Sequence, residues 1–128
     1  MSDSATAEGF FADSLLGLAV LAAVRDDLTE AFDDVEVRTS RSQVAFRRRR
    51  GFAVLWRPGR YLANPRAEVV LSILLERRAT SPRWKEVVHP APCRWQHHLE
   101  VHTPTDVDDE VRAWLHEAAQ AAGPCPAR

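Results

Sequence analysis

Apolar and polar residues alternate on both sides of a run of four arginines near the middle of the chain. The two apolar-rich arms are Val44–Phe46 and Phe52–Trp56, and Arg47–Arg50 and Gly51 lie between them. Alternation with a period of two is typical of a half-buried β-strand, and a glycine between two such arms is typical of a hairpin. The pattern predicts a β-hairpin over residues 42–56, in which Gly51 supplies the turn through a positive φ angle.

Further strand patterns lie before and after this hairpin. Val35–Arg38 alternates over a short segment, and Glu68–Arg77 is apolar on both faces. A strand that is apolar on both faces is expected at the centre of a sheet. Trp84–Val88 predicts a short strand that the prolines of residues 89–92 end, because proline cannot donate to a ladder. Arg94–His102 alternates cleanly and predicts the last strand.

Two segments with helical spacing bracket the strands. Residues 15–32 form the first, with Asp13 or Ser14 as the expected N-cap. The second opens at Thr103–Thr105, where either threonine is a suitable cap, and ends before Gly123. A helix, five or six strands and a helix predict an α+β fold, an antiparallel sheet with both helices on one face. The other face of the sheet is then open to water or to a partner.

The composition is that of a single soluble domain. The chain has 128 residues, of which 45% are hydrophobic and 27% charged. We expect a disordered N-terminus over residues 1–9, one domain over residues 10–122 and a tail over residues 123–128. No apolar run is long enough for a spanning helix or follows a basic leader, so a cytoplasmic location is expected. Cys93 and Cys125 lack the spacing of a metal or redox motif, and no cofactor is indicated.

The formal net charge of −1 is distributed unevenly. Residues 1–40 carry nine acids and two bases, a net charge of −7, and residues 95–128 carry six acids and two bases, a net charge of −4. Residues 41–94 carry three acids and thirteen bases, a net charge of +10. The pattern predicts acidic helices and a basic sheet. Because Lys85 is the only lysine, arginine is the usual basic residue of this chain, which weakens the arginine run as evidence of function.

The basic residues of the hairpin and its surroundings are candidate ligands for an anion, since guanidinium forks match phosphate and carboxylate groups. The predicted ligand-binding residues are Arg47, Arg49, Arg50, Arg57, Lys85, Trp56 and His98. Two alternatives remain: a charged hairpin tip that opposes edge pairing, and ion pairing with the acidic helices. Nucleic acid is a less favoured ligand, because a pI near 6.5 is not that of a markedly basic domain.

The histidines offer a second candidate site. His98, Glu100 and His102 alternate along one strand face, where side chains about 7 Å apart can share a divalent metal. The alternative is an ordinary polar sheet face. His97 lies on the apolar face, where a histidine is expected in the core with a ring nitrogen bonded to the backbone. It is otherwise a candidate buried base.

Several blocks of the sequence resemble one bacterial family. They are FFA at residues 10–12, SQVAFRRRRGFA at 42–53, SPRWKEV at 81–87, HHLE at 97–100 and DVDDEVRAWL at 106–115. Over about residues 10–122 the chain resembles the family of domain of unknown function 5655, a resemblance that implies no activity. Its arginine-rich composition is similar to that of actinobacterial members. The element order is more loosely similar, at fold level alone, to the frataxin-like iron chaperones.

The sequence contains no nucleophile elbow, P-loop, dinucleotide-binding glycine pattern, HExxH motif or EF-hand loop. The leading hypothesis is therefore a non-enzymatic binding module, a monomer or homodimer without membrane attachment. It presents a basic sheet face to an anionic ligand or a protein partner. One alternative is a metal-binding or iron-chaperone-like protein that uses His98, Glu100 and His102. The second is a small enzyme with His97 or His98 as its base.

Overall fold

The computed structural model describes residues 6–60 and 67–123. The helices are α1 (Ala7–Phe10), α2 (Leu15–Ala31) and α3 (Asp109–Ala121). The strands are β1 (Glu36–Thr39), β2 (Val44–Arg47), β3 (Gly51–Trp56), β4 (Val69–Leu75), β5 (Trp84–Ala91) and β6 (Arg94–Val101). All neighbouring strands are antiparallel, in the order β1-β2-β3-β4-β6-β5. This architecture confirms the predicted α+β fold with an antiparallel sheet.

The core lies between the sheet and the two long helices. Helix α3 packs on β3 and β4, and α2 packs beside α3, so both helices cover the same face. Strand β4 is central, as predicted, with β3 on one side and β6 on the other. Its core-facing side chains are Val69, Leu71, Ile73 and Leu75, and Val70, Ser72 and Leu74 face the other side. No helix among the described residues is long and apolar enough to span a membrane.

The start of helix α2 is fixed by a serine cap and by a close contact between Gly17 and Phe11. Of the two predicted caps, Ser14 is the one used: its hydroxyl oxygen accepts from the Gly17 N–H at 2.9 Å. The same hydroxyl donates to the carboxylate of Glu68, just before β4. Gly17 packs directly against the ring of Phe11, and a Cβ at this position would overlap the ring. The start of α2 is thereby joined to the sheet and to the preceding turn.

The start of α3 corrects the predicted cap. The carboxylate of Asp106 accepts the backbone N–H groups of His102 and Thr103, at 2.8 and 3.1 Å, and closes a 3-10 turn over Pro104–Asp106. The helix begins only after this turn, and its N-cap is Asp108, which accepts from the Val111 N–H at 3.1 Å. Thr103 is the N-cap residue of the 3-10 turn, but the predicted threonine cap is wrong for α3 itself, because the first acid closes the turn and the second caps the helix.

The predicted turn of the hairpin also needs correction. Gly51 is paired with Arg47 and is the first residue of β3, and the turn consists of Arg48–Arg50. No described glycine has a positive φ angle. The ladder is irregular between Phe46 and Arg47, where a bulge absorbs the extra residue. The two predicted arms are otherwise confirmed.

Strand β5 continues through the prolines that were expected to end it. It runs to Ala91, and the pairing with β6 skips from Val88 to Ala91. Because β5 is the edge of the sheet, Pro90 is tolerated at the irregularity, where no ladder donor is required. The prediction that proline ends the strand applies to a central strand, and it was wrong here because β5 is an edge strand.

The ordered domain begins before Phe10. Thr6 caps α1 by accepting from the Gly9 N–H at 2.9 Å, and Ala7 and Phe10 are buried in the core. Within the segment for which disorder is expected, residues 6–9 are thus held by a capped turn and by apolar contacts of Ala7 and the adjoining Phe10. Residues 1–5 and 124–128 lie outside the described residues.

A single hairpin residue with a positive φ angle yields a test of the fold. Cys93 (φ 60°) lies between Ala91 and Arg94, which are paired across the turn from β5 to β6. A side chain in this conformation costs roughly 1–2 kcal/mol, and glycine loses about 0.5–1 kcal/mol in chain entropy. We expect Cys93→Gly to raise the free energy of unfolding by about 0.5–1 kcal/mol in urea denaturation. Cys93→Ala is the control, because it keeps the Cβ; equal stability of the two variants would contradict the assignment.

Candidate functional site

Arg48, at the centre of the arginine run, is a structural residue. Its Nε donates to Asp34 Oδ1 and its Nη1 to the Ala119 carbonyl oxygen, both at 2.8 Å. The guanidinium also lies over the ring of Phe32, 4.6 Å from the centroid. It therefore occupies the carbonyl end of α3, where unpaired carbonyls and the helix dipole favour a cation.

Three of the predicted anion-binding cations have an internal carboxylate partner: Arg50 with Glu76 at 3.1 Å, Arg57 with Asp13 at 2.5 Å, and Lys85 with Glu100 at 3.9 Å. The ion pairs of Arg50 and Lys85 are at least partly solvent-exposed, so each contributes little to stability. Internal pairing thus accounts for three of the five predicted cations, although only Arg57 pairs with an acid beside a helix, and Arg50 and Lys85 pair with acids of the strands or their ends.

Arg47 and Arg49 differ from the other arginines of the hairpin. Neither guanidinium has an ion pair with a carboxylate in the described part of the chain, and Arg47 Nε is buried without a hydrogen bond. The Arg49 side chain is exposed, although its backbone N–H donates to Ala122 O at 2.9 Å. The hairpin therefore offers two arginines, rather than four, to an external anion.

A concavity on the face of the sheet away from the helices brings two of the predicted residues together. It has a volume of about 360 Å³ and is lined by Ser42, Gln43, Val54, Trp56, Ser72, Gln96 and His98. The register places Ser72 opposite both Val54 and His98, on the strands to either side. Trp56 and His98 belong to this site, whereas Arg47, Arg49, Arg50, Arg57 and Lys85 do not line it.

Three side chains of the concavity form a hydrogen-bonded chain. Trp56 Nε1 donates to Ser72 Oγ at 2.8 Å, and Ser72 Oγ lies 2.6 Å from His98 Nδ1. An indole N–H can only donate, so the serine oxygen is the acceptor of that bond. The serine proton then needs an acceptor, and His98 Nδ1 is the one within reach among the described residues. His98 is therefore assigned the neutral tautomer with its proton on Nε2.

Burial is the largest cause of the lowered pKa of His98. The Glu86 carboxylate on the neighbouring edge strand opposes the shift, and the Lys85 ammonium group adds to it. The lowered pKa agrees with a neutral imidazole at pH 7. Nε2 has no hydrogen-bond partner within the described residues, so the ring presents an N–H donor at the concavity.

His97 is a core residue, as its apolar neighbours predicted. Its Nε2 accepts from the Ala79 N–H at 3.0 Å, and Nδ1 donates to the Trp95 carbonyl oxygen at 3.0 Å. The side chain is fully buried, and burial lowers its pKa below the ordinary value. With both ring nitrogens bonded inside the core, His97 has no nitrogen left to serve as a base.

Of the predicted metal ligands, His98 and Glu100 lie on β6 and His102 lies just beyond its end, and the three do not converge on one point. His98 Nδ1 is bonded to Ser72, while Glu100 lies 3.9 Å from Lys85 and 4.0 Å from His102. Over residues 6–60 and 67–123, no group of three or more histidine, cysteine or acidic side chains is placed to hold a metal ion.

Ser72 was not among the predicted site residues, because its partners come from other strands. The sequence signal that marks it is a single hydroxyl inside the apolar segment Val69–Leu75. A fully buried polar group requires a partner, so a lone serine at the centre of such a strand indicates a polar neighbour on one side.

The fold and site define a small α+β domain with two helices on one face of a six-stranded sheet and a polar concavity on the other. The family model described as Domain of unknown function (DUF5655) matches residues 7–121 of the 128. The chain belongs to this family, as the sequence blocks indicated. No curated protein and no solved structure matches the chain, so the similarity to frataxin-like proteins has no support.

Arg48→Ala is expected to lower the free energy of unfolding by about 2 kcal/mol, because it removes a charged bond to a helix carbonyl and a cation–π contact. Arg49→Ala is the matched control. It removes an exposed side chain from the next residue and should change stability by less than about 0.5 kcal/mol. Urea denaturation of both variants measures the difference. Equal effects would show that Arg48 does not hold the hairpin to α3.

The two lowered histidine pKa values predict a pH dependence of stability. The folded chain binds fewer protons than the unfolded chain once the pH falls below the ordinary value of 6.5. The contribution of His97 and His98 is therefore fully present above pH 6.5 and is lost as the pH falls through their folded pKa values. His98→Gln should reduce this loss, as measured by urea denaturation across the acidic range.

His102→Gln is the control for this measurement, since that histidine lies just beyond the end of β6 with an exposed ring. The carboxylates of lowered pKa lose their contribution in a more acidic range, below the ordinary value of 3.8 for aspartates such as Asp108 and of 4.5 for glutamates such as Glu117. The histidine step is thereby separated from general acid unfolding. If His98→Gln left the slope of the free energy of unfolding between pH 6.5 and 5 unchanged, the assignment of His98 as a buried neutral imidazole would be wrong.

Proposed function

We propose that this protein is a non-enzymatic binding module, and that the concavity on the open face of its sheet holds a small planar ligand with a hydrogen-bond acceptor. The observation that carries the proposal is the Trp56–Ser72–His98 chain, which fixes the proton of His98 on Nε2 at the concavity. Pre-oriented polar groups in a largely pre-formed concave site are typical of small-molecule binding sites.

The lining supports an acceptor-bearing ligand. Its polar side chains are hydroxyls, amides, an indole and a neutral imidazole, and no carboxylate or cation is among the described lining residues. A ligand carboxylate or carbonyl group can therefore accept from His98 Nε2, from the hydroxyl of Ser42 and from the amides of Gln43 and Gln96 without meeting a like charge. Trp56 and Val54 provide apolar surface for the rest of the molecule.

The proposed ligand site lies away from the arginine run, since no arginine lines the concavity. Arg48, Arg50 and Arg57 are occupied by Asp34, Glu76 and Asp13 respectively. An external anion that bound these arginines would have to replace their internal ion pairs, and at Arg48 also the hydrogen bond to a helix carbonyl. A ligand in the neutral concavity would not have to displace any ion pair.

An enzymatic use of Ser72 and His98 is less favoured. The serine hydroxyl is fully buried and is bonded on both sides, so it has no access to a substrate carbonyl.

A cytoplasmic location is part of the proposal. It accords with the exposed free thiol of Cys93, since free thiols tend to be oxidised in oxidising compartments.

Three aromatic probes of matched size test the proposal: benzoate, benzamide and benzylammonium. We expect benzoate and benzamide to shift the indole Nε1–H resonance of Trp56 in heteronuclear NMR titrations, because both carry an acceptor for His98. Benzylammonium offers donors to a site whose oriented imidazole group is itself a donor, and should bind more weakly. His98→Ala should weaken benzoate binding about fivefold, the equivalent of one hydrogen bond of about 1 kcal/mol.

His102→Ala is the matched control, since it removes a histidine of the same segment that does not line the concavity. It should leave the benzoate affinity unchanged. Equal binding of all three probes, or no shift of the Trp56 indole at millimolar benzoate, would contradict the proposal.

A further inference from the structure

A second concavity, separate in its lining residues from the first, lies at the connection between β4 and β5. It has a volume of about 270 Å³. The lining residues that bear on its chemistry are Arg78, Thr80, Ser81, Trp84, Lys85 and Glu86. Two cations, two hydroxyls and an indole thus surround the space, with one carboxylate.

The connection that forms this concavity is held in place by the core. The Ala79 N–H donates to His97 Nε2 at 3.0 Å, and the Ala79 carbonyl oxygen accepts from Trp84 Nε1 at 3.1 Å. The Trp84 ring packs in turn on Trp114, with a centroid distance of 4.2 Å. Ser81 Oγ accepts from the Arg83 N–H at 3.1 Å, which leaves its own proton free to donate to a ligand. The site is therefore pre-formed, which lowers the entropic cost of binding.

Arg78 differs from the arginines on either side of it. Arg77 forms two bonds of 2.8 Å to Glu117, and Arg83 binds Asp108 and Glu110. Arg78 is exposed and has no ion pair with any residue that the structure describes. Its guanidinium fork is thus available at the concavity.

Lys85 is the second cation of this site. Its Nζ lies 3.9 Å from a Glu100 oxygen, beyond hydrogen-bond distance, so all three ammonium protons are free to bind a stronger acceptor. Glu86 in the lining and Glu100 beside Lys85 each contribute one negative charge, so Arg78 is the cation of this lining without a carboxylate partner among the described residues. Its unpaired guanidinium, with the hydroxyls beside it, favours an anion.

We propose that this concavity binds the phosphate group of a small phosphate monoester. Arg78 would provide a planar fork, Lys85 a point charge, and Thr80 and Ser81 hydroxyl donors, a combination suited to the oxygens of a phosphate. Trp84 supplies apolar surface beside them for the organic part of the ester. This site is independent of the function proposed for the open sheet face, because the two concavities share no lining residue.

Phenyl phosphate is the probe, with phenol as its uncharged counterpart. We expect a Kd at or below about 1 mM at low salt, with shifts of the Trp84 indole and of the Thr80 and Ser81 amides in heteronuclear NMR spectra. Affinity should fall as sodium chloride is raised, because exposed charges are screened. Phenol should produce no such shifts. Arg78→Gln should weaken binding at least about tenfold, as expected for loss of a charged bidentate contact of about 1.4 kcal/mol or more.

Arg49→Gln is the matched control, because it removes the same charge from another exposed arginine without an ion pair among the described residues. It should leave the affinity within about twofold of the wild type, well inside one hydrogen bond. Equal weakening by Arg49→Gln and Arg78→Gln would overturn the site in favour of general electrostatic attraction. Shifts confined to the Trp56 indole would place the phosphate on the open sheet face and would likewise overturn this proposal, while supporting the other.

Discussion

The arrangement of the helices on the sheet depends on one guanidinium group. Arg48 closes the carbonyl end of α3, stacks on Phe32 after α2 and binds Asp34 at the entry to β1. Gly123 leaves room for it, since a Cβ there would collide with the guanidinium. A helix end needs partners for its last carbonyls, and in this fold a hairpin tip provides them. The hairpin is thereby fixed to the carbonyl end of α3 and to the segment that follows α2.

The same interaction explains the charge pattern of the chain. A basic middle segment between two acidic segments produces a sheet whose cations meet acids from the helices and their flanking turns. Arg57 meets Asp13 before α2, and Arg77 meets Glu117 on α3. Arg48 and Arg83 likewise pair with acids of the helices or their flanking turns, whereas Arg50 and Lys85 pair with acids of the strands or their ends. The two proposed sites therefore use neutral polar side chains of the open face and, in Arg78, a cation without an ion pair among the described residues.

Local patterns predicted the elements of this fold better than their ends or their contacts. Alternation in β4 and helical spacing in α2 follow directly from which face is buried, and both predictions were confirmed. Three local predictions were wrong. Gly51 is not the hairpin turn, because a bulge absorbs the extra residue, and Pro90 does not end β5, because β5 is an edge strand. The cap of α3 is Asp108 rather than a threonine, because a second acid follows the one that closes the turn. The bond from Arg48 to Ala119 joins residues separated by 71 positions, and Ser72 lies 16 and 26 positions from its partners. Spacing along the chain carries no information on such contacts.

The buried, hydrogen-bonded hydroxyl of Ser72 distinguishes the open face from an ordinary solvated sheet face. A buried hydroxyl in the central strand costs stability unless it is bonded, and an apolar residue would fill the position without that condition. The condition is met by a donor-only indole on β3 and an imidazole on β6. Because Trp56 fixes the direction of the serine hydroxyl, and the hydroxyl fixes the tautomer of His98, the donor presented at the concavity is set two strands away. A polar chain with one defined direction departs from the apolar packing that stability alone favours, and this departure supports the proposal of a binding site on the open face.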